Sequence, residues 1–419
     1  MSAMNRTDAW TGSIRSLAPR RKAWIAVFAA VVWLLPAASA QDGGVASAPA
    51  SNWTGTWAIA QMRDNSGKTF TDCTLRQIVR VSVGGESVRL NLSNLFGTQP
   101  LRVEDVHPAL RRSDSAIVPS SDRQLRFEGS TRLVIPAGAS AFSDPVAFDV
   151  PALGELAVSM YLPGTTGPVT FHGSAHQTSY VEAGDASSAP QMANTATTKS
   201  IYFLAGLDVK GPSLGGSVVT LGASITEGYT AADDTDHRWP DQLAVRLIGQ
   251  GISIGVLNLG ISGNRLLVDG SGESAENRFE RDVLQQPNVR RVIFSDDPIN
   301  DLGSQPSPSG EALIAGLQHL IAQAHEKKIR FVCSTLTPFE GAKYWTSAEE
   351  KERQKVNSFI RGADSGCDGI VDQDAATHDP AHPTQYLPAY DVGDHLHPND
   401  AGHRAIANAI DLKLFNPAQ

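Results

Sequence analysis

The sequence has 419 residues, a formal net charge of −9 and a mean hydropathy of −0.18. Hydrophobic residues make up 41% and charged residues 19%, which is the composition of an ordinary globular protein with room for two domains. A net acidic chain without a basic run is poorly suited to bind nucleic acid or an anionic membrane surface.

The first 40 residues have the pattern of an export signal. Basic residues up to position 22 precede the apolar run Ala23–Leu35 and the small-residue site Ala38–Ala40. The run is too short to span a bilayer, so no stable membrane insertion is expected once the signal is cleaved. We expect a signal peptide over residues 1–40, cleavage after Ala40, a linker over 41–50 and a periplasmic or extracellular mature protein.

The next region, residues 51–205, reads as a β-rich accessory domain. Its clearest pattern is an alternation of apolar and polar residues on both sides of Gly84-Gly85, with apolar positions at Val79, Val81, Val83, Val88, Leu90 and Leu92. This alternation around a glycine turn is typical of a β-hairpin. Short strands separated by Gly, Pro and Ser turns predict a β-sandwich or jelly-roll-like module.

The pattern changes in residues 206–419, where apolar runs alternate with amphipathic segments. The runs that read as buried strands are Val218–Leu221, Ile254–Leu257, Val292–Phe294, Ile329–Val332 and Gly369–Val371. Alternating strands and helices predict a three-layer α/β domain with a parallel sheet. Sites in such sheets lie at the carboxyl ends of the strands, so the residues that follow each run are the candidates.

Polar or glycine-rich segments follow three of these strands. Ser224 lies between glycines after the first, Gly263 follows the second, and Asn300 follows the third. A serine at a tight turn exposes its hydroxyl, while a backbone N–H and an amide side chain can donate to an oxyanion. Each segment alone also fits a helix cap or a plain turn.

A fourth segment precedes the last helix. Asp394 and His397 are three residues apart, which lets a local turn place the carboxylate against the imidazole ring. Such a pair can activate a serine hydroxyl. His395 is the alternative base, but its spacing from Asp394 is poorer for a side-chain hydrogen bond.

The order of these four segments resembles the SGNH, or GDSL-type, hydrolases, and more narrowly the secreted esterases with a β-rich domain before the hydrolase domain. The supporting stretches are Gly55–Trp57, Leu92–Gly97, Arg238–Asp241, Gly263–Leu267 and Asp394–His403. The resemblance implies a flavodoxin-like hydrolase domain and an acyl-serine mechanism without a metal or organic cofactor. It also implies roles for five residues: Ser224 as nucleophile, His397 as base, Asp394 as its orienting acid, and the Ser224 N–H, Gly263 N–H and Asn300 side chain as the oxyanion hole.

Two positions depart from the family pattern. Ala223 stands where the family has Asp, and we expect weaker geometry at the turn. Pro298 stands where the family has Gly, and because proline fixes φ and lacks an N–H, a displaced Asn300 is one expectation. An alternative hypothesis is therefore a carbohydrate-binding secreted protein whose hydrolase domain is degenerate and weakly active.

The sequence leaves the substrate open between acetylated carbohydrate, including polysaccharide esters, and small acyl esters. Four residues are weaker candidates for substrate contact: His237, Arg238, Tyr344 and Trp345. A lipase acting at a membrane surface has no supporting basic amphipathic segment.

The three cysteines, Cys73, Cys333 and Cys367, form neither a disulfide framework nor a zinc pattern. A Cys333–Cys367 bridge and buried free thiols both remain open.

Overall fold

The computed structural model describes residues 52–416, and these lie within one compact unit, Ala48–Gln419. The predicted signal peptide (1–40) and linker (41–50) lie outside the described residues.

The N-terminal region is built from antiparallel sheets. Its strands are β1 (Thr54–Ala58), β2 (Met62–Arg63), β3 (Thr71–Arg80), β4 (Gly85–Ser93), β5 (Leu101–Ser113), β6 (Ala116–Ile117), β7 (Arg132–Ile135), β8 (Ser140–Phe142), β9 (Val146–Val150), β10 (Glu155–Thr165), β11 (Thr170–His172), β12 (Ser179–Ala183), β13 (Ala196–Thr198), β14 (Ile201–Tyr202) and β15 (Leu204–Lys210). One sheet has the order β1-β15-β4-β8 with β9 beside β4, the second has β13-β12-β3-β10-β5-β6 with β7 beside β5, and a small third has β14-β11-β2. The two large sheets share one apolar core. The β-rich domain is therefore present, and its jelly-roll-like connectivity remains a prediction.

The hairpin predicted around Gly84-Gly85 is wrong. β3 pairs with β10 and β12, whereas β4 pairs with β15, β8 and β9, so the turn carries the chain from one sheet to the other. The alternation was real, because Val79 and Leu90 both point into the shared core. A hydrophobic pattern identifies the buried face of each strand but does not identify its partner.

The C-terminal region is a parallel sheet covered by helices. Its strands are β16 (Ser217–Gly222), β17 (Gly255–Gly260), β18 (Val289–Phe294), β19 (Arg330–Ser334) and β20 (Gly369–Val371), followed by the short pair β21 (His378–Asp379) and β22 (His382–Tyr386). The sheet order β17-β16-β18-β19-β20 is that of flavodoxin-like folds, and all four pairings are parallel. The prediction of five parallel strands is confirmed, but the edge strand β20 is only partly buried, since Ile370 is exposed.

The α-helices of this region are α1 (Ser224–Glu227), α2 (Trp239–Gly249), α3 (Ala275–Phe279), α4 (Asp297–Leu302), α5 (Gly310–Glu326), α6 (Ser347–Arg361), α7 (Gln373–Thr377) and α8 (Asp400–Ala409). Helix α3 continues into a π-helical turn, Glu280–Leu284, and 3₁₀ turns occur at Pro119–Ser121 and Leu412–Phe415. No helix among residues 52–416 combines the length and the apolar character needed to cross a membrane.

The two regions are in direct contact and are not joined only by a linker. β15 crosses the boundary predicted at residue 206, and because it pairs with β1 and β4 it belongs to the β-rich region. The first strand of the parallel sheet, β16, begins only at Ser217. β1 lies beside β17, and the Val256 N–H donates to Ser82 Oγ across the contact at 2.8 Å. A side chain at Gly255 would collide with the Gly55 carbonyl. The exposed edge that β17 would otherwise present is thereby covered.

A disulfide links Cys333 at the end of β19 to Cys367 in the loop before β20, while Cys73 is free and buried. The bridge spans 34 residues and joins the loop between α6 and β20 to β19.

Closing a loop of this length removes conformational freedom from the unfolded chain. We expect reduction with dithiothreitol to lower the free energy of unfolding by about 4 kcal/mol. Urea unfolding followed by tryptophan fluorescence measures it. The Cys333→Ala/Cys367→Ala variant is the control, and its unfolding curve should not respond to the reductant. Equal midpoints for the oxidised and reduced natural chain would contradict the prediction.

Candidate active site

The candidate nucleophile lies on a tight turn at the end of β16. Ser224 starts α1, a single helical turn that ends at Glu227 and is capped by Gly228, whose φ of 106° suits glycine. A Cβ at Gly222 would collide with Thr226 Oγ1 and with the Asp296 carboxylate. Glycines on both sides therefore allow the turn to fold tightly and leave the serine at its start.

Three side chains form a hydrogen-bonded chain at this edge of the sheet. Ser224 Oγ lies 2.9 Å from His397 Nε2, and His397 Nδ1 lies 2.6 Å from Asp394 Oδ2. The other oxygen of Asp394 accepts the His397 N–H at 2.9 Å and the Leu396 N–H at 3.0 Å. These contacts fix the ring with Nδ1 toward the carboxylate and Nε2 toward the serine, as a serine nucleophile and its base require.

The charge on Asp394 is favoured by its surroundings. Burial acts to raise the pKa of the carboxyl, but hydrogen bonds from the His397 side chain and backbone outweigh it and hold the pKa below its usual value. Asp394 is therefore ionised at neutral pH and can stabilise a protonated His397. His395 points elsewhere, with Nδ1 2.7 Å from Asp391, so the structure places His397 and not its neighbour at the serine.

A carboxylate from the neighbouring strand holds the nucleophile turn. Asp296, directly after β18, accepts the Ala223 N–H at 3.0 Å, the Ile225 N–H at 2.8 Å and the Thr226 hydroxyl at 2.6 Å. It is 3% exposed. The weakened turn expected from Ala223 is therefore not observed, because Asp296 supplies the acceptors that the turn needs. Asp296 was missed in the sequence, where only its position after a strand pointed to the site.

The predicted oxyanion donors are also brought together. Gly263 has a φ of 76°, and among the described residues neither its N–H nor the Ser224 N–H has a hydrogen-bond partner. The Asn300 side chain donates one amide hydrogen to the Asn264 carbonyl at 2.9 Å, which leaves its second hydrogen for a ligand. Two backbone donors and one amide are the kind of set that stabilises an oxyanion.

Pro298 is compatible with the helix that carries Asn300. It lies in the first turn of α4, where a helix needs no N–H donor and where the fixed φ of proline is favourable. Asp301, three residues after Pro298 in the same helix, accepts the Leu266 N–H at 2.6 Å and the Leu267 N–H at 3.2 Å. Helix α4 therefore holds the loop that follows Gly263. Burial raises the pKa of Asp301 to about 6.

A buried arginine links the Ser224 turn to the loop that contains Gly263. Arg278 donates to the Gly222 carbonyl at 3.2 Å, to the Leu259 carbonyl at 2.6 Å and to Asn264 Oδ1 at 3.0 Å. Its nearest contact with Asp297 is 3.8 Å, and burial raises the pKa of that carboxyl to about 8 despite the arginine. Among residues 52–416, no group of three His, Cys, Asp or Glu side chains is arranged to hold a metal ion.

The four weaker candidates for substrate contact differ in their exposure and in their hydrogen-bond partners. Arg238 is committed to the fold, because its guanidinium binds Asp241 through two hydrogen bonds, at 2.6 and 3.0 Å, so its predicted substrate contact is not supported. His237 is exposed and bonds Asp400 at 2.7 Å. Tyr344 is half-buried, and the charges of Asp296 and Asp394 add to burial in raising its pKa. For His237, Tyr344 and the half-buried Trp345, substrate contact stays a prediction.

An exposed aromatic ring beside the base was missed in the sequence. Tyr229 is 46% exposed, and its ring centroid lies 4.7 Å from that of His397 in an edge-on arrangement. Its backbone N–H donates to the Ser224 carbonyl at 2.9 Å, so it is fixed to the nucleophile turn. In the sequence, only the position of Tyr229 directly after Gly228 pointed to its place beside the site.

The C-terminal region is similar to known proteins. A family model for GDSL-like lipases and acylhydrolases matches residues 220–405. Similar solved structures include a GDSL-like lipase from Bacteroides thetaiotaomicron (18% identity, 48% of this chain, 88% of that chain, TM-score 0.38), an acetyl xylan esterase (19%, 46%, 96%, 0.37) and a lipase/acylhydrolase from Enterococcus faecalis (20%, 48%, 98%, 0.38). At these identities and TM-scores, the similarities carry no inference about substrate. A search of curated proteins gave no match.

The role of Asp296 can be tested by Asp296→Asn. The amide keeps one acceptor oxygen but turns an NH₂ group toward one of the two backbone N–H donors, so the turn loses a hydrogen bond and shifts. We expect kcat for an activated ester to fall about 100-fold, the cost of a displacement near 1 Å at a reacting group. Steady-state kinetics, with circular dichroism to confirm folding, measure the effect.

Pro298→Gly in the same segment is the matched control. Because the proline occupies a position that needs no N–H, restoring glycine should leave kcat within about threefold and cost roughly 1 kcal/mol of stability through the freer unfolded chain. A large gain in kcat for Pro298→Gly, or none of the expected loss for Asp296→Asn, would contradict this account of the turn.

Proposed function

We propose that this chain, a hydrolase of the carboxylic-ester class whose residues 220–405 form a GDSL-like lipase/acylhydrolase domain, is a secreted serine esterase that acts through an acyl-serine intermediate. The observation that carries the proposal is the chain of hydrogen bonds from Ser224 through His397 to Asp394. It pairs a hydroxyl with a base and the base with an orienting carboxylate.

In the first half of the reaction, His397 Nε2 takes the proton of Ser224 Oγ as the oxygen attacks the ester carbonyl. The carbonyl oxygen becomes an oxyanion that accepts hydrogen bonds from the Ser224 N–H, the Gly263 N–H and Asn300. His397 then gives its proton to the leaving alcohol as the C–O bond breaks. Asp394 stabilises the imidazolium between these two transfers.

In the second half, a water molecule replaces the alcohol. His397 takes a proton from the water, which attacks the acyl carbon and forms a second oxyanion at the same donors. Collapse of this intermediate releases the acid and returns the proton to Ser224. Ser224 and His397 are already within hydrogen-bond reach of each other. Among the described residues, the Ser224 and Gly263 N–H groups have no partner, and Asn300 uses only one of its two amide hydrogens.

For the substrate, we propose acetylated carbohydrate, with small acyl esters as the simpler alternative. Tyr229 supports a sugar, because a flat, exposed ring fixed beside the base offers a stacking surface to a sugar ring. The surroundings are polar, because the exposed His237, which lies just before α2, bonds Asp400, the first residue of α8. An acetyl group needs little room beside a serine that is only 8% exposed.

The alternative of a carbohydrate-binding protein with a degenerate hydrolase domain rested on Ala223 and Pro298. Asp296 and the first turn of α4 accommodate both residues, so neither one favours this alternative. For the location, we propose the periplasm or the exterior of the cell. The disulfide Cys333–Cys367 supports an oxidising compartment, as does the export pattern in residues 1–40.

The triad is tested with p-nitrophenyl acetate and the mature chain, residues 41–419. Ser224→Ala and His397→Gln should each lower kcat at least about 1,000-fold, because nucleophile and base act as one unit. His395→Gln is the matched control, since this histidine also pairs with an aspartate but points away from the serine, and it should retain natural turnover. Equal rates for the natural chain and Ser224→Ala would rule out the proposed function.

The substrate class is tested at Tyr229. We expect Tyr229→Ala to raise KM for an acetylated oligosaccharide about 10-fold, since an aromatic stacking contact contributes about 1 kcal/mol or more. KM for p-nitrophenyl acetate should change little, because that substrate has no sugar to stack. Tyr229→Phe keeps the ring and should behave like the natural chain with both substrates. A parallel change for both substrates in Tyr229→Ala would argue for small acyl esters.

A further inference from the structure

We propose that His172 of the β-rich domain is a positioning residue of the active site: through Glu227 and Ser262 it sets the orientation of the Gly263 N–H in the oxyanion hole. The β-rich domain is then a working part of the esterase and not only an accessory to it. The inference rests on the proposed function for its kinetic consequence, but the contact itself is independent of that function.

The first link is a buried side-chain contact between a histidine of one domain and a glutamate of the other. His172 ends β11, and its Nε2 lies 3.0 Å from Glu227 Oε1 on the nucleophile turn. The two side chains are 1% and 4% exposed. On the other side of the ring, Nδ1 lies 2.8 Å from the Ala60 carbonyl, again within the β-rich domain. The ring is therefore anchored in one domain and reaches the catalytic turn of the other.

The second link is the charge of Glu227. Burial acts to raise the pKa of this carboxyl, but hydrogen bonds from His172 and Ser262 outweigh it and hold the pKa below its usual value. His172 lies between two oxygen atoms, Glu227 Oε1 on one side of the ring and the Ala60 carbonyl on the other, so both of its ring nitrogens have a polar partner. A buried carboxylate needs hydrogen-bond partners of this kind to remain charged.

The third link reaches the oxyanion hole. Glu227 Oε1 accepts the Ser262 N–H at 3.1 Å, and Oε2 accepts the Ser262 hydroxyl. Ser262 directly precedes Gly263, so both of its polar groups are fixed immediately before the donor. A Cβ at Gly260 would collide with the Glu227 backbone, which shows how closely the turn and this loop are packed. The carboxylate thus holds the Gly263 loop in register with the Ser224 turn.

Two measurements on the mature chain test the proposal, with His172→Gln and Glu227→Gln as independent variants. In hydrogen–deuterium exchange followed by mass spectrometry, peptides covering residues 260–267 should exchange about 10-fold faster in each variant. With p-nitrophenyl acetate, kcat should fall about 10- to 100-fold while KM stays within about threefold, because a displaced oxyanion donor is felt mainly in the transition state.

A substrate pair separates positioning from general loosening of the fold. The thiocarbonyl sulfur of p-nitrophenyl thionoacetate is a weaker hydrogen-bond acceptor than oxygen, so it gains less from the oxyanion hole. The ratio of oxygen-ester to thionoester turnover should therefore fall in both variants, whereas a loss of folded enzyme lowers both rates equally.

His107→Gln is the matched control. His107 belongs to the same domain, is 7% exposed and pairs with Asp122 at 3.0 Å, yet it is not linked to Glu227. It should leave exchange of residues 260–267, kcat and the turnover ratio unchanged. Unchanged exchange in His172→Gln and Glu227→Gln overturns the proposal whatever the natural chain's activity. Ester turnover that does not depend on Ser224 overturns the proposed function alone, because the exchange result still decides whether His172 positions the loop.

Discussion

The backbone N–H groups around Ser224 must be held by an acceptor, and the rest of the site depends on how the chain meets that constraint. A tight turn that exposes a serine also leaves buried N–H groups without helical partners, and each costs free energy if it stays unpaired. Asp296 resolves this from the adjacent strand, by accepting from both neighbours of the serine. Because Asp296 follows β18 and begins the approach to α4, the same segment that braces the Ser224 turn also carries Asn300, the predicted amide donor of the oxyanion hole.

The site is assembled at the point where the sheet order reverses, between β16 and β18, with β17 on the other side. Each of these three strands contributes one element: the nucleophile turn, the Gly263 loop and the α4 segment. Arg278 and Asp301 then tie the three elements to one another by hydrogen bonds to backbone groups. Such a framework fixes the positions of donors and nucleophile before substrate arrives, which is the condition under which oxyanion donors are most effective.

The sequence was informative where chemistry follows directly from a strand, and less so where it depends on contacts between distant elements. Five apolar runs predicted the parallel sheet because buried strands must be apolar on both faces. The Asp394–His397 spacing identified a local contact. In contrast, the partner of β3 could not be inferred from its alternation, since Val79 and Leu90 face one core from two different sheets. Arg238 looked like a substrate ligand near the nucleophile, but Asp241, only three residues away, already satisfies it. His172 has no local pattern at all, because its partner is 55 positions away in the chain.

The departures at Ala223 and Pro298 show why a motif should be judged by the contacts that its residues make and not by residue identity alone. What the nucleophile turn requires is a carboxylate within reach of its N–H groups, and Asp296 meets that need from another strand. What α4 requires is a first turn that leaves Asn300 in place, and proline is well suited to a first turn. Both replacements lie on the side of the site that the hydrolase domain builds by itself. The side that holds Gly263 depends instead on Glu227, which His172 contacts across the domain boundary. The β-rich domain and the parallel sheet therefore have to be considered together when the catalytic geometry of this chain is explained.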